Sequence, residues 1–308
     1  MHATLKQLRL IEAVARLGSI TRAAEEASLT QPAVSIQIKR LEEQAGFALF
    51  QQVGRRLHLT AAGRAVVRSS RQILDELAGL DDALETLRGE VAGPLRVSGV
   101  TTTQYFLPHL LGEFVRRHPK IQPILTVTNR AKMLDRLAEH ADDLFIMGQV
   151  PDEYDVAHVP FLDNVLVVVA HPDHPLVAEQ PVSVERLARE RFLVRESGSG
   201  TRQAVDRLFE ASGLTVEPYM ELGSGEAIKQ GVMAGLGIAV LSRHGLQLEL
   251  ATESITLLEC EGFPLHRPWN AVHQTGAQLP LAARSFLEFL ETDGPGVLAE
   301  TVDHSASE

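Results

Sequence analysis

Residues 21–43 read TRAAEEASLTQPAVSIQIKRLEE. The small residues Ala23, Ala24 and Ala27 mark a short first helix that a neighbour can approach closely, with Thr21 placed to cap it. Ala27-Ser28-Leu29-Thr30 has the length of the turn in a helix-turn-helix. A second helix follows, capped by Thr30 or Gln31, with Pro32 in its first turn, where a missing N–H costs nothing. Val34, Ile38 and Leu41 fall at i, i+4 and i+7 and predict the buried stripe, so Pro32, Ser35, Ile36, Lys39 and Arg40 face outward. Such a face suits a DNA groove. Gln31 and Ser35 are matched to base edges, Lys39 and Arg40 to phosphates or guanine, and Ile36 to thymine methyls. Taken alone, the same residues also describe an amphipathic helix with one stray exposed isoleucine.

Downstream, FALFQQVGRRLHLT at 47–60 alternates around Gly54 like a short hairpin, a wing whose Arg55 and Arg56 can track phosphates beside the groove. Upstream, Leu5, Leu8, Ile11 and Val14 predict a helix that closes the small core. Thr60 caps a long helical run in which Val66, Ile73, Leu77, Leu80, Leu84 and Leu87 are separated by 7, 4, 3, 4 and 3 residues. So narrow a seam on a charged helix is better buried by a second copy of the chain than by a globular core, which predicts a dimerisation coiled coil. Gly79 weakens it by about 1 kcal/mol relative to alanine.

In order and spacing, these elements resemble the LysR-type transcriptional regulators. The signature spans residues 3–88, with LRLIEAVARLGSITRAAEEASLTQPAVSIQIKRLEEQAGFALF as its core, and the family's effector-binding layout follows to about residue 291. QPAVSIQIKRLEE, FIMGQVPDEYDVAHVPFLDNVLVVVAHPDHPL and FLVRESGSGTRQAVDRLFEASGL resemble the branch that regulates RuBisCO and other carbon-fixation operons. The resemblance implies an activator that binds an operator duplex as a dimer or tetramer, a small-molecule effector, and RNA polymerase as a further partner. Two positions depart from the family pattern. Many members carry arginine at the second wing position and a basic residue on the recognition helix where this chain has Gln52 and Ile36, which shifts the electrostatic work to Lys39, Arg40, Arg55 and Arg56.

The net charge of −11 over 308 residues fits such a protein once it is divided along the chain. Residues 1–60 hold eight Lys/Arg against five acids, a net +3, which leaves −14 for the rest: a basic head on an acidic sensor. Cys260 is the single cysteine, so a disulfide within the chain, a cysteine zinc site and redox sensing by a cysteine pair are all excluded, and LLEC places it as a core thiol. The N-terminus carries no signal-peptide pattern, and the longest apolar stretch, VLVVVA at 165–170, is far too short to span a bilayer, so a cytoplasmic location is expected.

From residue 91 strand-like and helix-like runs alternate, which predicts α/β architecture with a mainly parallel sheet covered on both faces. The expected organisation is a winged helix-turn-helix at 1–60, a linker helix at 61–90, an effector domain at 91–293 and a disordered tail at 294–308. Within the effector domain, lobe I takes about 91–163 and 270–293 and lobe II about 164–269. The lobes are Rossmann-like, joined by two crossings as in periplasmic-type binding proteins. Ligands of such sheets bind beyond the carboxyl ends of strands. Three loops are expected to converge there: Thr101, Thr102, Thr103 and Gln104 after the opening strand; Ser197, Ser199, Gly200 and Thr201 in a Gly-Ser nest flanked by Arg195 and Arg202; and GSGEA at 223–227 with Glu226. Gln149 ends a further strand. Any one of these loops alone is an ordinary helix cap.

The family's effectors contact the hydroxyl residues after the first strand and the Gly-Ser-Thr loop of the second lobe. For the carbon-fixation branch the resemblance implies a phosphorylated sugar, another phosphorylated acid or NADPH. No cofactor, metal or catalytic residue is expected. SGSGTR lacks the lysine of a phosphate-binding Walker loop and the spacing of a dinucleotide fingerprint, and HPDHP at 171–175 is too proline-bound to serve as a metal site. The competing reading is a metabolite-binding protein or enzyme on the same two-lobed scaffold, or a regulator of another metabolic operon.

Overall fold

The structure, a computed structural model, describes residues 2–53, 56–87 and 91–305, and omits the side chains of residues 53, 56, 75, 78, 79, 81–87 and 300–305. Arg55 and the side chains of Arg56, Leu84 and Leu87 therefore lie outside the described residues. The chain divides into two compact units, one built mainly on residues 1–91 and the other on most of the remainder.

The first unit runs α1 (Leu5–Leu17), α2 (Ile20–Glu26), α3 (Gln31–Ala45), β1 (Phe50–Val53), β2 (Arg56–Leu59) and α4 (Ala61–Leu87). Its core is Leu10, Ile11, Val14, Ala23, Ala24, Val34, Ile38, Leu41, Leu49 and Val67. Each fully buried leucine or isoleucine in it contributes about 1.5–3 kcal/mol. Leu5, read from its spacing as a core residue, is exposed instead, one turn before the helix reaches that core. Ser19, and not Thr21, caps α2, its Oγ accepting from Arg22 N at 3.3 Å. Gly18, at φ 63°, ends α1 and leaves a single residue before α2 begins, so Ser19 takes the cap and Thr21 falls inside the helix. Ser28 in the turn stands at φ 52°, a left-handed conformation that reverses the chain between α2 and α3.

The second unit begins with β3 (Gly93–Val100), a 3-10 turn (Thr101–Tyr105), α5 (Leu107–Arg117), β4 (Ile121–Thr128), α6 (Arg130–Ala138), β5 (Leu144–Met147) and β6 (Val156–Ala170). It continues through α7 (Val184–Leu187), β7 (Phe192–Arg195), α8 (Gly200–Ala211), β8 (Pro218–Leu222), α9 (Gly225–Met233), β9 (Ile238–Ser242) and α10 (Gln247–Ala251). β10 (Thr256–Leu258), β11 (Leu265–Gln274), α11 (Leu281–Thr292) and α12 (Gly294–Ser305) complete it. The strands form one path, β4-β3-β5-β11-β6-β9-β7-β8, with β10 on β6. β3 is parallel to β4 and β5, and β7 is parallel to β8 and β9, as strand-helix alternation requires. The two crossings are themselves strands: β6 and β11 pair antiparallel from Leu265↔Leu166 to Gln274↔Val156, so the sheet is mixed. β6 starts well before the VLVVVA run: its first half, VAHVPFLD, is mostly half-exposed, and its apolar residues are interrupted by His158, Pro160 and Asp163. After the buried Asn164 its second half is apolar because both faces are covered. Leu166, Val168 and Ala170 pack toward α8 through Val205 and Phe209, while Val167 and Val169 pack toward α9 through Ile228 and Val232.

Cys260 lies buried in the first of these clusters, and burial, with Glu259 nearby, pushes its pKa up to about 11, as befits a core thiol. Where a disordered tail is expected from residue 294, residues 294–305 form the helix α12. Pro295 sits in the first turn of α12, where it opens a helix, and Leu298 is buried.

Candidate nucleic-acid interface and ligand cleft

On α3 the stripe of Val34, Ile38 and Leu41 is buried, and Gln31, Pro32, Ile36, Lys39 and Arg40 are exposed, with Ser35 half-buried. Ile36 is 52% exposed, so an apolar side chain stands among cations on the outward face. Gln31 Nε2 donates to Ser35 Oγ at 3.2 Å, which orients both polar groups on the first turn. The wing is a hairpin with Phe50↔Leu59 and Val53↔Arg56 opposite each other. Glu42, at the far end of α3, accepts from Leu49 N at 2.8 Å and Phe50 N at 3.4 Å and so fixes the wing to the recognition helix. Thr60 closes the arrangement: its Oγ1 donates to Ala48 O at 2.7 Å and accepts from Gly63 N at 3.0 Å at the start of α4. Gly63 permits this contact, because a Cβ there would lie 2.0 Å from Leu49 O. Glu42 was not singled out in the sequence; its only signal is its place in an acidic pair, Glu42 and Glu43, that follows Lys39 and Arg40. Along α4, Ile73 is 45% and Leu80 57% exposed and Leu77 is half-buried, whereas Val66, the first residue of the expected seam, packs against the core of the first unit.

The cleft of the second unit is lined by Val100, Thr101 and Thr102 at the end of β3, by Gly148 and Gln149 after β5, and by Arg195, Glu196, Ser199, Gly200 and Thr201 between β7 and α8. Arg130, Arg267 and Trp269 complete it. Two of the three expected loops therefore meet, together with Gln149. Ser197 lines an adjoining groove with Asn129, Arg130, Gln149, Gly198, Gln203 and Arg207.

Four expected site residues are directed elsewhere. Thr103 is buried with its hydroxyl turned back on Gly99, where a Cβ would lie 2.1 Å from Oγ1. Gln104 is exposed on the 3-10 turn outside the lining. Arg202 donates to both Asp206 oxygens at 2.9 Å, one helical turn on, and to Arg195 O at 3.4 Å, so it braces the loop from behind without lining the cleft. Glu226 accepts from Tyr105 Oη at 3.0 Å and pairs with Lys229 at 2.9 Å. In that loop Ser224 is an ordinary cap, accepting from Ala227 N, so the third loop is a helix start outside the lining. Lys229, buried, also donates to Glu249 at 2.7 Å. Burial alone would lower its pKa, but the hydrogen bonds to Glu249 and Glu226 outweigh it and hold the ammonium above its usual range.

The cationic character of the cleft comes from three arginines. Arg195 is buried and bidentate to Glu196 at 2.7 and 2.8 Å, and also donates to Thr101 Oγ1 at 3.0 Å, joining the β3 and β7 ends. Arg130 donates to Gln149 O at 2.6 Å; burial lowers its pKa, against the pull of Glu153 and Asp152. Arg267 donates to Gly200 O at 2.7 Å and reaches Thr201 Oγ1 at 3.4 Å. Burial, and then the positive charges of Arg130 and Arg207, push its pKa down to about 10. Neither Arg130 nor Arg267 was singled out in the sequence, although both carried signals. Arg130 follows the carboxyl end of β4, and Arg267 shares a strand face with Trp269 two residues on. With serine, threonine and the N–H groups that open α8, the cleft is built to bind a small anion.

Two family models match the chain: a bacterial regulatory helix-turn-helix protein of the lysR family over residues 5–64, and a LysR substrate binding domain over residues 88–294. The RuBisCO operon transcriptional regulator of Allochromatium vinosum is 46% identical over 290 residues, covering 94% of this chain and 96% of that protein. The transcriptional activator CmpR of Synechocystis is 45% identical over 94% of this chain and 95% of its own length. Among solved structures, the regulatory domain of Synechocystis CcmR in complex with 2-PG superposes with a TM-score of 0.63 at 42% identity, over 66% of this chain and 99% of that one. Full-length OxyR from Pseudomonas aeruginosa, at 24% identity, shares the fold over 98% of this chain and 95% of its own, with a TM-score of 0.77.

Proposed function

Because the chain belongs to the LysR family of bacterial transcriptional regulators, and is a DNA-binding regulator with no enzymatic role, we propose that it controls a carbon-fixation operon in response to a small phosphorylated acid. The observation that carries the proposal is the arginine- and hydroxyl-lined cleft in a domain 42% identical to one that holds 2-PG. In this reading Gln31, Pro32, Ser35, Ile36, Lys39 and Arg40 enter the major groove, and the wing tracks the adjacent backbone with Arg55 and Arg56. The exposed seam of α4 pairs two chains, presenting two recognition helices to two half-sites, and dimers associate into tetramers in the cytoplasm. RNA polymerase is the further partner of the activated complex.

The regulatory step requires the effector to prefer one arrangement of the lobes or subunits, since a ligand that binds both equally shifts nothing. Thr101 and Thr102 on one lobe and Ser199 to Thr201 on the other suit this role, because an anion held between them favours the arrangement in which they approach.

The test is a footprint and bending assay on the promoter of the carbon-fixation operon, with and without 2-phosphoglycolate. Wild-type protein should bind tightly and with strong salt dependence, and the effector should change the footprint or bend. Thr102→Val and Thr201→Val should keep DNA binding and lose the response. Variants that still respond as the wild type does would place the sensing site elsewhere, and absence of promoter binding would remove the carbon-fixation assignment.

A further inference from the structure

The charges of the cleft do not balance. Among its lining residues Glu196 is the only carboxylate, and both of its oxygens are engaged by Arg195. The carboxylates that act on Arg130, Asp152 and Glu153, line the adjoining groove. Arg267 has no carboxylate partner among the described residues. It is anchored by a backbone carbonyl and a hydroxyl, and its buried Nε has no acceptor.

The same wall holds further unspent donors. Trp269, 2% exposed, lines the cleft, and its Nε1 has no acceptor. Asn164, fully buried and directly across the strand pair from Arg267, has neither its amide nitrogen nor its oxygen satisfied. Buried donors without acceptors each carry the full cost of desolvation, and an unpaired buried cation costs more. An anion in the cleft brings both charge and lone pairs to Arg267 and Trp269, the two of these that line it, and a guanidinium fork matches the oxygens of a phosphate.

We infer that Arg267 is the specificity-determining residue of the cleft, selecting a ligand whose head group is doubly charged, a phosphate monoester, over singly charged analogues of similar size. The inference rests on the reading of the cleft as the effector site and adds what that site selects. Arg267 lies on crossing strand β11, outside the loops whose hydroxyls meet the ligand, and it bonds Gly200 and Thr201 at the start of α8. It thereby links head-group charge to the position of the second-lobe loop.

The chain supplies its own reporter, because Trp269 is its single tryptophan. Full-length protein is titrated by tryptophan fluorescence and calorimetry with 2-phosphoglycolate, with the sulfate ester of glycolate, which replaces the phosphate by a singly charged sulfate on the same ester oxygen, and with glycolate. Wild type should prefer 2-phosphoglycolate over the sulfate ester by about tenfold or more, one charge-assisted contact's worth of discrimination. Arg267→Gln should lose at least that factor for 2-phosphoglycolate and bind the two ligands within about threefold of each other. Wild-type preference retained in Arg267→Gln overturns the inference, and so does a wild type that binds both ligands equally. If Arg267→Gln fails to fold, Arg267→Lys, which keeps the charge without the fork, should still lose several-fold, and unchanged affinity there is equally fatal. Loss of 2-phosphoglycolate in Thr201→Val alongside its retention in Arg267→Gln leaves the effector reading standing and removes only this inference. A wild type that binds no phosphorylated ligand removes both.

Discussion

Lys39 and Arg40 stand exposed on α3, with Ile36 half in solvent beside them, whereas Arg195, Ser199 and Thr201 in the cleft are buried, and Arg195 is already paired with Glu196. In the first unit, fold and function use opposite faces of one helix. In the second, the side chains that line the cleft also hold its loops together. A substitution on the recognition face therefore reports on binding almost alone, while one in the cleft reports on stability as well.

The largest effect is expected where the first unit exposes apolar surface. Leu77→Asp with Leu80→Asp should halve the mass seen by sedimentation and cost about 100-fold or more in operator affinity, since two linked half-site contacts become independent. Unchanged sedimentation would show that the exposed face of α4 is not a dimer seam. Next, Arg195→Ala should destabilise the protein by about 3 kcal/mol in urea titrations, by stranding Glu196 in a partly buried site. Lys39→Ala, by contrast, should stay within about 0.5 kcal/mol of wild type while weakening DNA binding across sequences and lowering its salt slope by about 1. Equal stability losses in the two variants would erase the contrast.

Gly63→Ala sharpens it from within the first unit. By helix propensity alone the change should stabilise α4 by about 1 kcal/mol. Because the new Cβ would meet Leu49 O at 2.0 Å, a net loss of about 1–3 kcal/mol is expected instead, with the wing displaced. A variant that melts above wild type would show that the wing yields freely. The smallest effect is a pH dependence in the second unit. His244 Nε2 donates to Asp163 O at 2.9 Å, and burial, against the pull of Asp163, holds its pKa below the ordinary histidine value. The folded protein thus binds this proton less readily than the unfolded chain. Stability from this residue is present above about pH 6.5 and is lost as pH falls below it. Between pH 7 and 5 wild type should lose more stability than His244→Gln; parallel curves would exclude the residue.

The contrast also governs what could be read from the sequence. The recognition face followed from three apolar positions on one helix, because the helical period alone assigns inside and outside. The strands of the wing, the long helix α4 and most strands of the second unit were legible for similar local reasons. The cleft was legible only as far as strand ends and Gly-Ser loops reveal it. Arg202 and Glu226 carry suitable chemistry in suitable loops, but Asp206 and Lys229, one turn away on their own helices, claim them first. Arg267 became visible only when β11 paired with β6, about a hundred residues earlier in the chain. Charge compensation across such separations has no period to betray it. At the C-terminus, Gly-Pro-Gly reads as a break, but tertiary packing of Leu298 makes it the start of α12.

The β6–β11 pair has a mechanical meaning of its own. Each lobe's parallel strands terminate on this ribbon, β5 against β11 and β9 against β6, so the ribbon is an axle on which two rotors are mounted. Its ladder slips register between Trp269 and Asn270, opposite Phe161, which interrupts the pairing and kinks the axle at that point. Arg267 and Trp269 ride on the axle beside the kink, whereas Thr101 and Ser199 sit on the rotors. A twist of a few degrees sweeps the rotor-borne hydroxyls through a larger arc than the axle-borne guanidinium.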